Sequence, residues 1–169
     1  MNVIDNKGNM ISDHWLLIPN LTPIPSESSA IVSLERYLSE KTEIITKANS
    51  IGLIVEPDQA LDDIANELNQ FGIIVLLFPK FTDGRAYSHA RLLRQHHNYS
   101  GEIRAAGNIL RDQLFFMKRC GFDSFILPDD KATTDWISGF SDFSAGYQYS
   151  SDDLPIAACE RWNTKTLMD

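Results

Sequence analysis

Two short stretches carry most of the side chains that can do chemistry. The first, F-P-K-F-T-D-G-R-A-Y-S-H-A-R-L-L-R, holds Lys80, Asp83, Gly84, Arg85, Ser88, His89, Arg91 and Arg94. The second, R-A-A-G-N-I-L-R-D-Q, holds Arg104, Gly107, Asn108, Arg111, Asp112 and Gln113. Arginine presents a planar fork of donors that grips sulfate, sulfite, phosphate or carboxylate by two oxygens at once. Lys80, Gly84, Arg85, Ser88, His89, Arg91, Arg104, Gly107, Asn108, Arg111 and Gln113 are therefore the candidate binding residues for a small anion. If the protein is an enzyme, Asp83 or Asp112 is the acid/base, with Arg85 and Arg104 holding the anion.

Plainer readings compete with each of these. Arg85, Ser88, Arg91 and Arg94 recur at three- and four-residue steps, which also describes a solvated basic helix face. Arg104 can instead pair with Asp83 or Asp112 in a structural ion network. His96 and His97 suit a helix C-terminus, where cations are favoured by the dipole. Cys120 and Cys159 stand alone and read as reduced thiols. Cations beside Cys120 can lower a thiol's pKa, yet a buried structural thiol is the expectation. No H-x-H, H-E-x-x-H or Cys/His cluster occurs, so no metal is expected. The glycine-rich phosphate loops are missing too, with neither G-x-G-x-x-G nor G-x-x-x-x-G-K-[ST] in the chain. No cofactor is expected.

The elements that must position these residues follow from the apolar pattern. Ile73–Phe78 is six unbroken apolar residues of strand length, ended by Pro79, and a helix to about His97 follows the Asp83-Gly84 turn. The same strand-then-helix pattern starts at residue 51, where Pro57 stops I-G-L-I-V-E-P and Asp58 caps a helix through Asn69. It recurs at E-I-R-A-A-G with a helix from Asn108 to Arg119, closed by Gly121. It recurs again at F-D-S-F-I-L with a last helix capped by Thr133 or Thr134, bearing Trp136, Ile137, Phe140 and Phe143. Four βα units at this spacing argue an α/β fold with a parallel sheet, open or half-barrel-like. In such sheets ligands sit at the carboxyl ends of the strands, where Lys80, Asp83 and Arg85 would lie. Upstream, Val3-Ile4 and Met10-Ile11 flank N-K-G-N as an N-terminal hairpin. A proline-rich connection then leads to a helix starting at Ser28 or Ser29. A single domain spans 1–169, with the hairpin and connection in 1–30, the βα core in 51–145 and a tail in 146–169, where one edge strand is expected.

Charge is unevenly placed. The chain carries a net −8, yet residues 80–119 hold eight Lys/Arg against three Asp/Glu, a net +5. The remaining seven bases face twenty acids, a net −13. An acidic body with a basic middle argues against nucleic acid as partner. No run reaches the ~18 apolar residues of a membrane span. The opening M-N-V-I-D-N-K-G-N-M lacks the basic-then-apolar order of a secretory signal, so a cytoplasmic location is expected.

The strings F-P-K-F-T-D-G-R-A-Y-S-H-A-R-L-L-R and G-E-I-R-A-A-G-N-I-L-R-D-Q-L-F-F-M-K-R-C-G-F-D-S-F resemble one bacterial family. Its members are uncharacterised proteins encoded beside assimilatory sulfite reductase, often labelled probable oxidoreductases of sulfite reduction. The close resemblance spans about residues 72 to 126 and implies a cytoplasmic role in sulfur assimilation. The label itself finds no support in this chain, which has no dinucleotide fingerprint, redox cysteine pair or Fe–S spacing. Two expectations result. One is an accessory protein of sulfite reduction that binds a small anion at the Lys80–Arg85 and Arg104–Gln113 loops. The other is a non-catalytic partner that docks on sulfite reductase through its basic face. A pocket would gather the basic side chains, whereas a docking face would spread them.

Overall fold

The computed structural model describes residues 2–128, 133–141 and 149–152. Seven strands form one sheet: β1 (Asn2–Asp5), β2 (Leu16–Leu17), β3 (Ser29–Ser33), β4 (Ser50–Val55), β5 (Phe71–Phe78), β6 (Glu102–Gly107) and β7 (Ser124–Leu127). Their order is β1-β7-β6-β5-β4-β3-β2. All neighbours pair in parallel except β1, which lies antiparallel to β7 with Asn2 opposite Leu127. From β2 to β7 each strand is laid beside its predecessor, so every crossover returns on the same side. The result is a curled, open half-barrel with helices along one face.

The sheet has more strands than the four βα units expected, which correspond to β4–β7. The helix expected from Ser28 or Ser29 begins as β3 instead. Ala30 and Val32 pack beneath the helices while Ile31 packs on the opposite face, so this short run is apolar on both sides. Helix α1 (Leu34–Lys47) starts only after it. Ser33 is its N-cap, and its hydroxyl accepts a hydrogen bond from the Arg36 amide at 3.2 Å. The helix expected from Asp58 is a 3-10 stretch, Asp62–Gln70, with no side-chain cap at Leu61. Its expected inward residues Leu61, Ile64 and Leu68 are nevertheless buried. The next two helices stand near their expected places. Helix α2 (Arg85–Arg91) runs on through a π-turn, Leu92–His96, and α3 (Leu114–Cys120) is closed by Gly121 at φ 103°. Helix α4 spans Thr133–Ser138. Phe143 lies outside the described residues, as does the tail where an edge strand was expected apart from residues 149–152, which form none.

The hairpin is present as a turn with one antiparallel bridge, Ile4 to Met10. Its main partner is β7, so the N-terminal segment becomes the edge of the sheet. That places β1 and β2 on opposite edges, and the segment between them must cross the face that carries no helix among the described residues. Measured along the sheet, six strand spacings come to roughly 29 Å. Six extended residues from Met10 to Leu16 reach only about 20 Å. The segment spans the gap because the sheet is curled and the strap runs as its chord. The Trp15 ring lies over Gly72, where a Cβ would sit 3.0 Å from the indole.

Arg104 of β6 anchors this strap. It is 2% exposed, and its Nη1 donates to Asp13 Oδ2 at 2.8 Å across 91 residues of chain. Its Nε donates to Ser124 Oγ at 3.0 Å, and Nη2 meets Glu102 Oε1 at 2.9 Å. A buried guanidinium stripped of one counter-charge is strongly unfavourable. Asp13→Ala should therefore lower stability by on the order of 3 kcal/mol, read as a lower urea midpoint. It should also open the Met10–Trp15 segment to proteolysis, whereas Asp13→Asn should retain part of the stability.

Candidate functional site

The carboxyl ends of β5 and β6 meet in register, Phe78 opposite Gly107. Gly107 adopts φ 100°, and a Cβ there would stand 2.5 Å from the Phe78 carbonyl oxygen. Only glycine allows this turn. It brings the Asn108 amide to the Phe78 carbonyl at 2.7 Å. From there two side-chain amides sew the loops together. Asn108 Nδ2 donates to the Pro79 carbonyl at 2.6 Å, and Gln113 Nε2 donates to the Phe81 carbonyl at 2.8 Å. The other end of the Gln113 amide accepts from the Leu110 amide at 3.0 Å. Each bond satisfies a backbone group that a loop would otherwise leave to water.

On this cross-tied pair of loops, Phe81 is 50% exposed and Leu110 is 40% exposed. Lys80 and Thr82 share with Phe81, Asn108, Ile109 and Leu110 a cleft of about 270 Å³. A neighbouring depression of about 460 Å³ continues past Ile109 and Leu110 to Arg111, Asp112 and Trp136. The edge is thus a shallow, mostly apolar groove with Lys80 on its rim.

The expected residues gather here only in part. Asp83, Gly84 and Arg85 lie in the first loop and at the start of α2, and Asn108, Arg111, Asp112 and Gln113 in the second. Arg85 is bound back onto Asp83, its Nε at 3.0 Å from Oδ1 and its Nη2 at 2.7 Å from Oδ2. Those hydrogen bonds hold the Asp83 carboxyl down at about 2. A carboxylate so far below neutrality suits an anchor for the loop, whereas proton transfer is best served by a group poised near the working pH. Arg111 donates to the Asp135 carbonyl at 2.9 Å and to Ser138 Oγ at 2.8 Å. Ser88, His89 and Arg91 lie further along α2, away from the strand ends. Burial, with the Arg85 charge nearby, pulls the His89 imidazole below its ordinary value.

Arg104 is the clear departure from expectation. It lies inside β6 rather than in the loop, three residues short of Gly107. Strand alternation turns it to the helix-free face with Glu102 and Ala106, so it cannot join Arg85. Arg94 is spent as well, on the carbonyls of Gly121, Tyr99 and Gly101 and on the Asp123 carboxylate. Among the described residues, Lys80 and Arg91 form no ion pair. Lys118 stands 5.9 Å from the centre of the Phe140 ring. Burial pushes the Cys120 thiol up, as fits a structural cysteine. Cys159 lies outside the described residues. No group of three or more His, Cys, Asp or Glu side chains suited to a metal occurs among the described residues. No described helix is long and apolar enough to cross a membrane.

Sequence reasoning did not single out Leu110 as a functional residue, nor Asp13 and Trp15. Leu110 was hidden by the expected helix from Asn108: the chain turns only at Arg111–Gln113 and becomes helical at Leu114, so Leu110 stands before it, exposed rather than turned inward.

The model of a bacterial protein family of unknown function, DUF934, matches residues 52–156. That span runs from β4 through both loops and α4, and leaves out the strap. No curated protein and no solved structure matches the chain.

The loop geometry fixes how Asp83 titrates. An unfolded aspartate titrates near about 3.9, and the folded value is about 2. The Asp83–Arg85 tie therefore stabilises fully above the unfolded value and is lost as pH falls through about 2. Carboxyl NMR should place the Asp83 midpoint at about 2, and Arg85→Ala should return it towards the unfolded value.

Proposed function

We propose that this chain, which belongs to the bacterial family of unknown function DUF934, is a non-catalytic docking protein of assimilatory sulfite reduction. The observation that carries the reading is the cross-tied loop pair. Asn108 and Gln113 spend their amides on rigidity, and the platform so built holds Phe81 and Leu110 out to solvent beside Lys80. Exposed aromatic and aliphatic anchors on a preorganised scaffold favour protein association, since little conformational entropy remains to be lost on binding.

The distribution of cations supports the same role. Arg85, Arg104 and Arg111, on which a small-anion site would depend, each serve an internal partner. Lys80 at the edge, with Arg91 and Lys118 on the outer surfaces of α2 and α3, remains exposed. Spread cations of this kind steer encounter with an acidic surface and give it salt dependence. The resemblance of the two loop sequences points to sulfite reductase as that surface. A second reading keeps the small anion, placed in the cleft beside Lys80 and Thr82, and is favoured by the lysine's lack of an ion-pair partner among the described residues.

The experiment is a co-purification of the intact chain with sulfite reductase at low and high salt. Complex recovery should fall steeply as salt rises. Phe81→Ala and Lys80→Glu should each weaken the affinity at least tenfold, and Arg91→Glu should act mainly on the association rate. A deletion strain should grow poorly on sulfate and sulfite yet normally on sulfide. Normal growth on sulfite, with no second copy of the gene, removes the pathway from this reading. A melting-temperature rise with millimolar sulfite that Lys80→Ala abolishes, without any complex, favours the anion reading instead.

A further inference from the structure

We propose that the helix-free face, beyond the strap, is a binding cup for a small, mainly apolar, uncharged molecule. Parallel sheets bury both faces, and their strands read as continuous apolar runs. Strand β5 follows that rule. Ile74, Leu76 and Phe78 pack beneath the helices, while Ile73, Val75 and Leu77 point to the other side. The strap covers the amino end of that side, with Trp15 over Gly72. Towards the carboxyl ends the described residues leave a cavity of about 300 Å³ on this face. Its floor is Ile54, Val75, Leu77, Ala106 and Ile126, and its inner wall is Trp15 with the Asp13–Arg104 pair. An apolar hollow with a few fixed polar groups at one end has the composition of a small-molecule site.

Size decides against a second protein molecule as the occupant. Five strands, β3 to β7, are roughly 24 Å wide, and the last three residues of each reach roughly 10 Å. The open area is then ~240 Å², far below the ~800 Å² per partner of a stable interface. The cavity instead falls at the small end of the roughly 300–1,000 Å³ typical of ligand sites. Charge narrows the ligand further. Arg104 is paired with Asp13 in the wall and with Glu102 behind it, so its charge is already matched and offers an anionic head group no net attraction. A guanidinium has five N–H donors, and the three carboxylate and hydroxyl partners leave some of them for a neutral acceptor. The occupant is thus an apolar body with a carbonyl or hydroxyl at its buried end. This cup opens on the face opposite the helices; it shares Gly107 with the docking edge but none of Lys80, Phe81, Asn108 and Leu110.

The test is a fluorescence titration of the full chain with N-phenyl-1-naphthylamine, a neutral apolar probe. Saturable one-to-one binding is expected. Leu77→Arg should weaken it at least tenfold. Leu17→Arg, at a rim position already 61% exposed and so safe for folding, should weaken it measurably. The anionic relative 1-anilinonaphthalene-8-sulfonate should bind at least tenfold more weakly. Binding that does not saturate, that both folded variants leave unchanged, or that favours the anionic probe overturns the proposal. So does a dimer in sedimentation equilibrium that Leu77→Arg dissociates, which would give the face to a second copy. Tenfold tighter probe binding after removal of residues 153–169 would give it to the chain's own tail, and overturns the proposal equally.

Discussion

The pairing of Arg104 with Asp13 governs everything on the open side of the sheet. Placing a guanidinium in the middle of a parallel strand is costly unless its charge is matched and each of its nitrogens finds a partner. Here the strap supplies one carboxylate, β6 supplies Glu102, and β7 supplies the Ser124 hydroxyl, which also donates to Glu102. The network therefore ties three separate parts of the chain to one side chain. Moving the strap would uncover both the ion pair and the indole of Trp15. A purely apolar cover would pack against any apolar strand, whereas this charge admits only a register that brings Asp13 to it.

The opposite economy operates at the carboxyl edge. There the polar side chains that a sequence reader assigns to ligands turn inward to hold the backbone. Asn108 and Gln113 replace the water that would otherwise solvate the Pro79 and Phe81 carbonyls. Asp83 accepts from the Arg85 amide as well as from its guanidinium, fixing the first turn of α2. Apolar residues are displayed in exchange. Rigidity of the loops and exposure of Phe81 are two results of the same set of hydrogen bonds.

These contrasts explain what could be read from residue order and what could not. Strands β4 to β7 were legible because their apolar runs end at a proline, a glycine or a turn. Strand β3 was not, since S-S-A-I-V-S-L continues without a break into a helical pattern, and only Ser33 marks the change. The meeting of the two loops was legible from equal register along neighbouring strands. The removal of Arg104 from that meeting was not, because the strand pattern E-I-R-A-A-G groups Arg104 with Glu102 and Ala106 but does not say which face of the sheet the helices cover. Asp13 could not be found at all by local pattern. Its partner lies 91 positions away, and no spacing rule connects a loop residue to the middle of a distant strand.

The edge position of β1 also constrains the order in which the molecule is assembled. Strands β3 to β7 each pair with a neighbour in sequence, so each contact closes over a single βα crossover. Strand β1 must wait for β7, since Asn2 pairs with Leu127. The strap cannot find Arg104 until β6 stands in the sheet. Synthesis runs from the amino end at about 5–20 residues per second, so β1 and the strap spend seconds in the cell before their partners exist. Through that interval the apolar face of the growing half-barrel is uncovered, since β1, made before the other six strands, pairs with the one made last.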